Sequence, residues 1–439
     1  MFQIGDSHWL VPGEQAATIA DVLLAGELMK WDNERKLPLK KGGFTDLYIN
    51  IRDSRNKSWT IEELAMLYAN PLRRLRVDAF VEVPDSVSPL AGHLSVITGI
   101  PIVTIREEEK LGRVVKGKAV GTLRPGMRVA IIDDVITDGA SKLAALAYLR
   151  SIGVEVVAIV VLVNRQQGWK KKLAEAGFGD VPVWAGMTLH DVRKYLVSHG
   201  LMQRCDPAIE AKNPIIVALD GRSWEEILPL ADQLRTSGCI LKANDLLLRK
   251  GTEWLLPNLS VYGRVMIDPK GHDIKNTLEN CAKVISECPP WAVTVHASGG
   301  PEMVQAMRLK LNELGARSTK ILAVTVLTSL KDICAEIYGR QPLDQVMKLA
   351  EMVAADADGF VCSPQEVGPL KAKYADKTLV TPGVRSPGVS HDDQKRVDTP
   401  RNAMDNGATN LVMGRQILTA PDPVAEVHRV LREELGIQL

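Results

Sequence analysis

Cysteine is scarce and unpatterned. The six residues Cys205, Cys239, Cys281, Cys288, Cys334 and Cys362 all lie beyond position 200, at irregular spacings and without a CxxC pair. That excludes a disulfide framework and a zinc-ribbon site, and fits free thiols in a reducing compartment. The 8 histidines form no HxxxH-type ligand pattern. No charge of one sign dominates: 54 Lys and Arg face 53 Asp and Glu, so nothing in the balance points to nucleic acid or an anionic membrane. Long hydrophobic runs are missing too. The longest, residues 156–163, suits a buried strand and falls far short of a membrane span. The opening MFQIGDSHWLVPGEQ has no basic start followed by an apolar core, so no signal peptide is expected and the protein reads as cytoplasmic.

What is present is ordinary for a globular protein: 46% apolar and 24% charged residues, with 34 Gly and 24 Pro spread over 439 positions. Disorder, collagen and coiled coil are thereby excluded, and the length predicts two or three cores. Short apolar runs alternate with helix-period segments, the pattern of βα units around parallel sheets. In the first half, strands are predicted at 79–83, 102–105, 129–133 and 156–163, with a helix over 141–151 stopped by Gly153. The stretch 197–213 (VSHGLMQRCDPAIEAKN) lacks sustained periodicity and carries a proline. It divides the chain into a first domain over 1–200, a linker over 201–213 and a second domain over 214–439.

The second half contains eight buried-strand candidates: IIVALD (215–220), CILKAN (239–244), RVMID (264–268), AVTVHA (292–297), ILAVTVL (321–327), GFVCS (359–363), TLVTP (378–382) and NLVMG (410–414). Amphipathic stretches separate most of them. Ser223 with Glu226 forms a capping box for the first, and Gly238 ends that helix. Eight such units specify a (β/α)8 barrel, whose chemistry sits at the carboxyl ends of its strands. Those ends carry Asp220, Lys242, Asp268 with Lys270, His296, Thr328, Ser363, Arg385 and Arg415. One acid or lysine there would read as a cap or a solvated rim charge; so many together read as a site.

The densest cluster is DPKGHDIKNT, residues 268–277. Asp268 and Lys270 alternate at a strand end, so both can face the barrel mouth, and Asp273 follows on the loop. A lysine held between carboxylates stays protonated and can serve as a positioned general acid. The last two strand ends bring TPGVR (381–385), Gln394 and MGR (413–415), where barrels commonly bind phosphate. Gly414 allows close backbone approach, and Arg385 and Arg415 can grip oxygens in bidentate fashion, so a phosphorylated small molecule is expected.

These residues resemble the orotidine 5′-monophosphate decarboxylase family from about residue 214 to the end. The resemblance rests on ALD, LK, DxKxxDIxNT, VTVHASGG, VLTS, TPGVR…DQKRV and the final GR, in that order. It implies that Lys270 protonates C6 of the pyrimidine as CO2 leaves, and that Asp268 faces the substrate carboxylate. It further implies that Lys242 and Asp220 bind the ribose and orient the charges, and that Thr328 holds the base. Arg385, Gln394, Gly414 and Arg415 would hold the phosphate. Asp273 and Thr277 would reach into a partner subunit's site, making a homodimer. No metal or organic cofactor is implied for this half.

The first half turns on VAIIDDVITDGASK, residues 129–142. A strand ends in two acids, and a Thr/Gly/Ser turn opens a helix whose free amides can take phosphate. Asp133 and Asp134 can hold sugar hydroxyls or a hydrated Mg2+, while Thr137, Gly139 and Ser141 line the turn. The layout resembles the phosphoribosyl-pyrophosphate (PRPP) motif of type I phosphoribosyltransferases. From about residue 20 to 200 it is similar to orotate phosphoribosyltransferase, carried by LKKGGFTDLYIN (39–50), VLVNRQQG (161–168), RPGMRVAIIDD and LHDVRKYLVSHG. The resemblance implies a parallel-sheet domain in which Mg2+-bound PRPP meets orotate. Lys40 would lie near the reactants, Thr137 and Arg165 on orotate, and Arg106 and Lys110 on PRPP.

This half departs from the family pattern in places. Asp85 stands in the pyrophosphate-side loop EVPDSVSPLA (82–91); Glu107 and Gly112 stand where Lys and His are usual, although Arg113, Lys116 and Lys118 can supply charge. Taken together, the chain resembles the bifunctional uridine monophosphate synthases. One alternative is a decarboxylase whose first half only senses ligand or dimerises. Another is a metal-dependent sugar-phosphate relative of the DxKxxD barrels, against which TPGVR and DQKRV argue. A non-enzymatic regulator fits a densely ionised barrel mouth least.

Overall fold

A computed structural model describes residues 14–33, 36–38, 44–82, 86–106, 118–330, 333–389 and 398–439. The chain divides into two compact units, Met1–Met202 and Gln203–Leu439. Among the described residues no helix is long and apolar enough to cross a membrane.

In the first unit, six strands form a sheet in the spatial order Val183–Thr188, Glu155–Asn164, Arg128–Ile136, Ala79–Glu82, Ile102–Ile105, Ala119–Val120. Five run parallel. The last, only two residues long, pairs antiparallel with Ile102–Ile105, so the sheet is mixed rather than wholly parallel. An antiparallel neighbour needs no crossover helix, which is why so short an edge strand escapes a reading based on βα alternation. Both faces are covered: Phe80, Ile132 and Val160 lie in one apolar cluster, and Val81, Ile131 and Val161 in the other. That two-sided burial explains the unbroken apolar run at 156–163. The helix after the motif strand starts as a 3-10 turn, Ala140–Lys142, and continues as Leu143–Ser151; Gly153 follows with φ +72°.

The second unit is a closed barrel of eight parallel strands: Ile215–Ala218, Ile240–Ala243, Val265–Gly271, Ala292–His296, Lys320–Val324, Gly359–Val361, Thr378–Thr381 and Asn410–Met413. Pairing of Ile215 with Leu411 and Ile216 with Val412 closes it. Ile216, Ile240, Met266, Ala292, Leu322 and Val380 pack together as a buried apolar cluster contributed by six of the strands. Ser223 and Glu226 make the expected reciprocal capping box, and Gly238 (φ +72°) ends the helical stretch. Within the segment read as linker, Pro207–Lys212 forms a short helix capped by Asp206. A proline at the first helical position suits that turn, where its missing N–H costs nothing.

The third strand carries the irregularity that matters for the site. Its register against the fourth shifts between Ile267 and Gly271, and Lys270 has φ +50°, in the left-handed region. Non-glycine residues seldom adopt that conformation, and bulges of this kind re-aim side chains next to functional sites. Asp268 and Lys270 thus meet through a bulge, not through simple strand alternation.

Close packing makes one barrel glycine irreplaceable. A Cβ on Gly359 would sit 2.0 Å from the Thr378 carbonyl oxygen of the adjoining strand. Gly359→Ala is expected to cost about 3 kcal/mol of barrel stability through overpacking, read as a lowered urea midpoint; an unchanged midpoint would mean that the strands can move apart freely.

Candidate active sites

The carboxyl ends of the barrel strands surround a cavity of about 460 Å3. On its floor lies a chain of alternating charges. Lys242 Nζ donates to Asp220 Oδ2 at 2.6 Å and to Asp268 Oδ2 at 3.0 Å, and Lys270 Nζ donates to the same Asp268 oxygen at 2.8 Å. Asp268 Oδ1 accepts from Thr294 Oγ1 at 2.7 Å, while Thr294 Oγ1 accepts from the Lys270 amide at 3.0 Å. Asn244 Nδ2 donates to the Asp268 carbonyl at 2.6 Å. Side chains of the second, third and fourth strands therefore all hold the Asp268 carboxylate, and Asp220 after the first strand joins the chain through Lys242.

The electrostatics follow from this arrangement. Burial opposes the charge on Lys242, but Asp268 and Asp220 outweigh it and hold the ammonium above its ordinary pKa. Burial likewise opposes ionisation of Asp268. Lys242, Lys270 and the Thr294 hydroxyl prevail, and its carboxyl stays below the ordinary carboxylate range. His296, at the end of the fourth strand, is held below its usual value by burial and by His272 and Lys270. Lys242 and Asp268 are thus each held in the charged form, and Lys270 is the more exposed of the two lysines on Asp268.

Thr328, Arg385, Gly414 and Arg415 line the same cavity, joined by Arg222 and by apolar walls from Val324, Val361 and Val380. Asp273 and Thr277 do not. Both are away from the cavity, and the Thr277 hydroxyl donates to Asp273 at 3.2 Å. Gln394 lies outside the described residues.

Two features of the barrel site escape the sequence reading. Thr294 lies two positions before His296 on the same strand, so counting inward-facing positions back from the strand end would have reached it. The other is a polar network behind the two cavity arginines. The Ser386 amide donates to Gln416 Oε1 at 3.1 Å, Gln416 Nε2 donates to Ser386 Oγ at 2.5 Å and Glu426 Oε1 at 2.7 Å, and Arg429 pairs with Glu426 and Glu434 at 2.8 and 2.9 Å. A π-helical turn, Val430–Glu434, ends in Glu434, which accepts from the Ser386 hydroxyl. Ser386 and Gln416 adjoin Arg385 and Arg415 in sequence, so the C-terminal helix ties together the two segments that carry those arginines. No local motif announces that contact.

In the first unit, the two acids of the motif differ sharply. Asp133 is buried; Oδ2 takes the buried Lys142 ammonium, and Oδ1 accepts from Ser86 Oγ at 2.8 Å and from the Asp134 amide at 2.8 Å. Asp134 is half-buried and accepts from the Val135 amide at 2.7 Å. Burial, reinforced by Asp133, pushes its carboxyl up to about 7. Gly139 has φ +79°, the Thr137 hydroxyl donates to Asp138 at 3.4 Å, and Ser141 Oγ accepts from Lys142 at 2.9 Å. Arg165 sits on the neighbouring strand end: its amide donates to the Ile136 carbonyl at 2.9 Å and its guanidinium to Thr45 at 3.4 Å. The Arg106 amide donates to the Lys118 carbonyl at 2.8 Å. Lys40, Asp85, Glu107, Lys110, Gly112, Arg113 and Lys116 lie outside the described residues. Sequence reasoning passed over Lys142. Among the described residues no group of three or more His, Cys, Asp or Glu side chains is arranged to hold a metal ion.

Comparison with known proteins distinguishes the two halves. Residues 213–430 match the model of the orotidine 5′-phosphate decarboxylase / HUMPS family, and residues 67–191 match that of the phosphoribosyl transferase domain. An orotidine 5′-phosphate decarboxylase of Pseudomonas aeruginosa (strain LESB58) is 39% identical over 226 residues, covering 51% of this chain and 97% of that protein. Among solved structures, an orotidine 5′-phosphate decarboxylase from Lactobacillus acidophilus is similar at 32% identity and TM-score 0.44, covering 51% of this chain and all of that one. UMP synthase of Leishmania donovani is similar at 29% identity and TM-score 0.38, covering 44% of this chain and 40% of that one.

The charge chain makes a signed prediction for stability. A carboxylate whose folded pKa is depressed contributes fully above its ordinary value of 3.8 and loses that contribution as pH falls through the folded value. A lysine whose folded pKa is raised contributes fully below 10.5 and loses it as pH rises through the folded value. The difference in urea midpoint between the unaltered chain and Asp268→Asn is therefore expected to stay level across neutral pH and to swing toward the variant in acid. A difference that is independent of pH down to full acid unfolding would show that Asp268 is not held ionised.

Proposed function

The chain belongs to the orotidine 5′-phosphate decarboxylase family, and from that premise we propose that it makes UMP in two steps. The barrel decarboxylates orotidine 5′-phosphate, and the first unit forms that substrate from orotate and PRPP. The observation that carries the proposal is the Asp220–Lys242–Asp268–Lys270 chain on the floor of a cavity rimmed by Arg385, Gly414 and Arg415.

In the barrel, the rim arginines and the Gly414 backbone hold the phosphate, Asp220 and Lys242 the ribose, and Thr328 the base. The substrate carboxylate then lies against ionised Asp268, and that repulsion is relieved as the C–C bond breaks and CO2 departs. The electron pair stays on C6, where the Lys270 ammonium stabilises it and delivers a proton; solvent restores the lysine. Every charge needed is preorganised by the protein, so no metal has a step to perform. Asp273 and Thr277, paired to each other outside the cavity, suit residues that serve a partner subunit's site, and a homodimer is part of the proposal.

In the first unit, orotate N1 attacks the ribose carbon of PRPP and pyrophosphate leaves. Asp133 is already satisfied by Lys142 and Ser86, so Mg2+ bound with PRPP would draw little from that carboxylate and would supply charge neutralisation for the leaving pyrophosphate. Arg165, Thr137, Gly139 and Ser141 gather at the strand ends to orient the reactants. Orotidylate released by one unit is the substrate of the other, and joining both in one chain raises its local concentration. Six free thiols suit a cytoplasmic, reducing setting.

The sequestration of Asp133 favours a second reading, in which the first unit binds a nucleotide or assembles the protein without transferring phosphoribose. Lys270→Ala separates the two. With decarboxylation stopped, orotate, PRPP and Mg2+ should accumulate orotidylate, measured by chromatography; no product, from a chain whose unaltered form decarboxylates added orotidylate, would leave only the barrel activity. Within the barrel, Thr294→Val removes a hydrogen bond to a charged group worth about 2 kcal/mol, so turnover should fall roughly thirtyfold with little change in KM.

A further inference from the structure

We propose that Lys142 is a positioning residue that takes Asp133 as its own counter-ion, leaving Asp134 alone of the acidic pair to hold the sugar hydroxyls of a phosphoribosyl ligand. The inference rests on the transferase reading of the first unit and assigns its two acids unequal roles.

Three observations carry it. Asp133 and Asp134 both lie inside the strand Arg128–Ile136. Of the two, Asp134 is the more exposed, half-buried where Asp133 is buried, and its carboxyl accepts from a single backbone donor among the described residues, the Val135 amide at 2.7 Å. Next, Asp133 is 3% exposed and already engaged on both oxygens, by Lys142 on one and by Ser86 and the Asp134 amide on the other. A buried carboxylate in that state gains nothing from a sugar hydroxyl that would have to displace a charged partner. Finally, Lys142 does more than neutralise. Its ammonium also donates to the Val135 carbonyl at 3.2 Å and to Ser141 Oγ at 2.9 Å, while its amide donates to the Gly139 carbonyl at 3.0 Å. Those contacts tie the strand end to the far side of the phosphate turn. One side chain thereby fixes the loop's two ends and keeps a positive charge beneath a site meant for a polyanion.

A buried ion pair broken on one side leaves an uncompensated charge, whereas replacing both partners with neutral groups is often tolerated. That asymmetry supplies the test. In the full chain carrying Lys270→Ala, binding of PRPP with Mg2+ is titrated calorimetrically for Lys142→Met, for Lys142→Met with Asp133→Asn, and for Asp134→Asn. Lys142→Met should weaken binding at least tenfold, because Asp133 then presents an unpaired negative charge to the ligand. Adding Asp133→Asn should restore affinity to within about threefold of the parent, compared among variants whose urea midpoints show them folded, so that the rescue reports the charge at Asp133 and not recovery of the fold. Asp134→Asn should lose at least tenfold. If the double variant binds as poorly as Asp134→Asn, Asp133 touches the sugar and the inference is wrong. Should Lys142→Met fail to fold, the comparison of the double variant with Asp134→Asn still decides. Absence of any PRPP binding by the parent overturns the transferase reading, and this inference with it.

Discussion

A lysine kept charged in a buried place is the constraint on which the barrel site depends. Desolvation alone would drive Lys242 toward its neutral form. Asp220 and Asp268 reverse that, each by direct contact, and in doing so each gains a counter-charge. Asp268 in turn can remain an anion at a buried position only because Lys242 and Lys270 both reach it and Thr294 completes its hydrogen bonding. Remove Asp268 and Lys270 loses its carboxylate partner while Lys242 keeps only the more exposed Asp220, the costly case for buried ion pairs. The site is accordingly one cooperative object contributed by the first four strands. The bulge at Lys270 is the backbone cost of placing a second ammonium on an oxygen that Lys242 already shares.

The two units use a buried lysine–aspartate pair to opposite ends. In the barrel the pair is left open at one side: Asp220 is 40% and Lys270 35% exposed at the side chain, so the chain of charges opens onto the cavity. In the first unit the pair is closed, with both side chains 4% exposed. An open chain can do chemistry on whatever lies against it, while a closed pair shapes the loop around it. This difference also explains why the acidic motif of the first unit reads more reactive in sequence than its geometry allows.

Much of this was legible in the sequence because it is local. Eight apolar runs ending in polar residues give the barrel; of the ends read in order, Asp220, Lys242, Asp268, Lys270, Thr328, Arg385 and Arg415 line the cavity, whereas His296 and Ser363 do not, Ser363 capping the next helix with Glu366. The capping box at Ser223 and the stop at Gly153 are equally local. What stayed hidden depends on distance along the chain or on backbone geometry. The positive φ of Lys270 leaves no trace in residue type, since lysine is not a residue that favours it. Ser386 meets Gln416, Arg429 and Glu434 only because the last helix folds back onto the segments that carry Arg385 and Arg415. Lys142 reads as an ordinary helix-start residue until the strand and turn bring its ammonium onto Asp133. The antiparallel edge strand Ala119–Val120 is too short to carry a period.

The central claim is that Asp268 meets the substrate carboxylate as an anion. The most direct measurement is the affinity for orotidine 5′-phosphate and for UMP of the Lys270→Ala chain, with and without Asp268→Asn. Two unit charges about 4 Å apart repel by about 4 kcal/mol at the effective dielectric of such sites. Removing the Asp268 charge is therefore predicted to tighten orotidylate binding at least tenfold and to leave UMP, which lacks the carboxylate, nearly unchanged. Equal changes for both ligands, or weaker binding of orotidylate, would contradict the account.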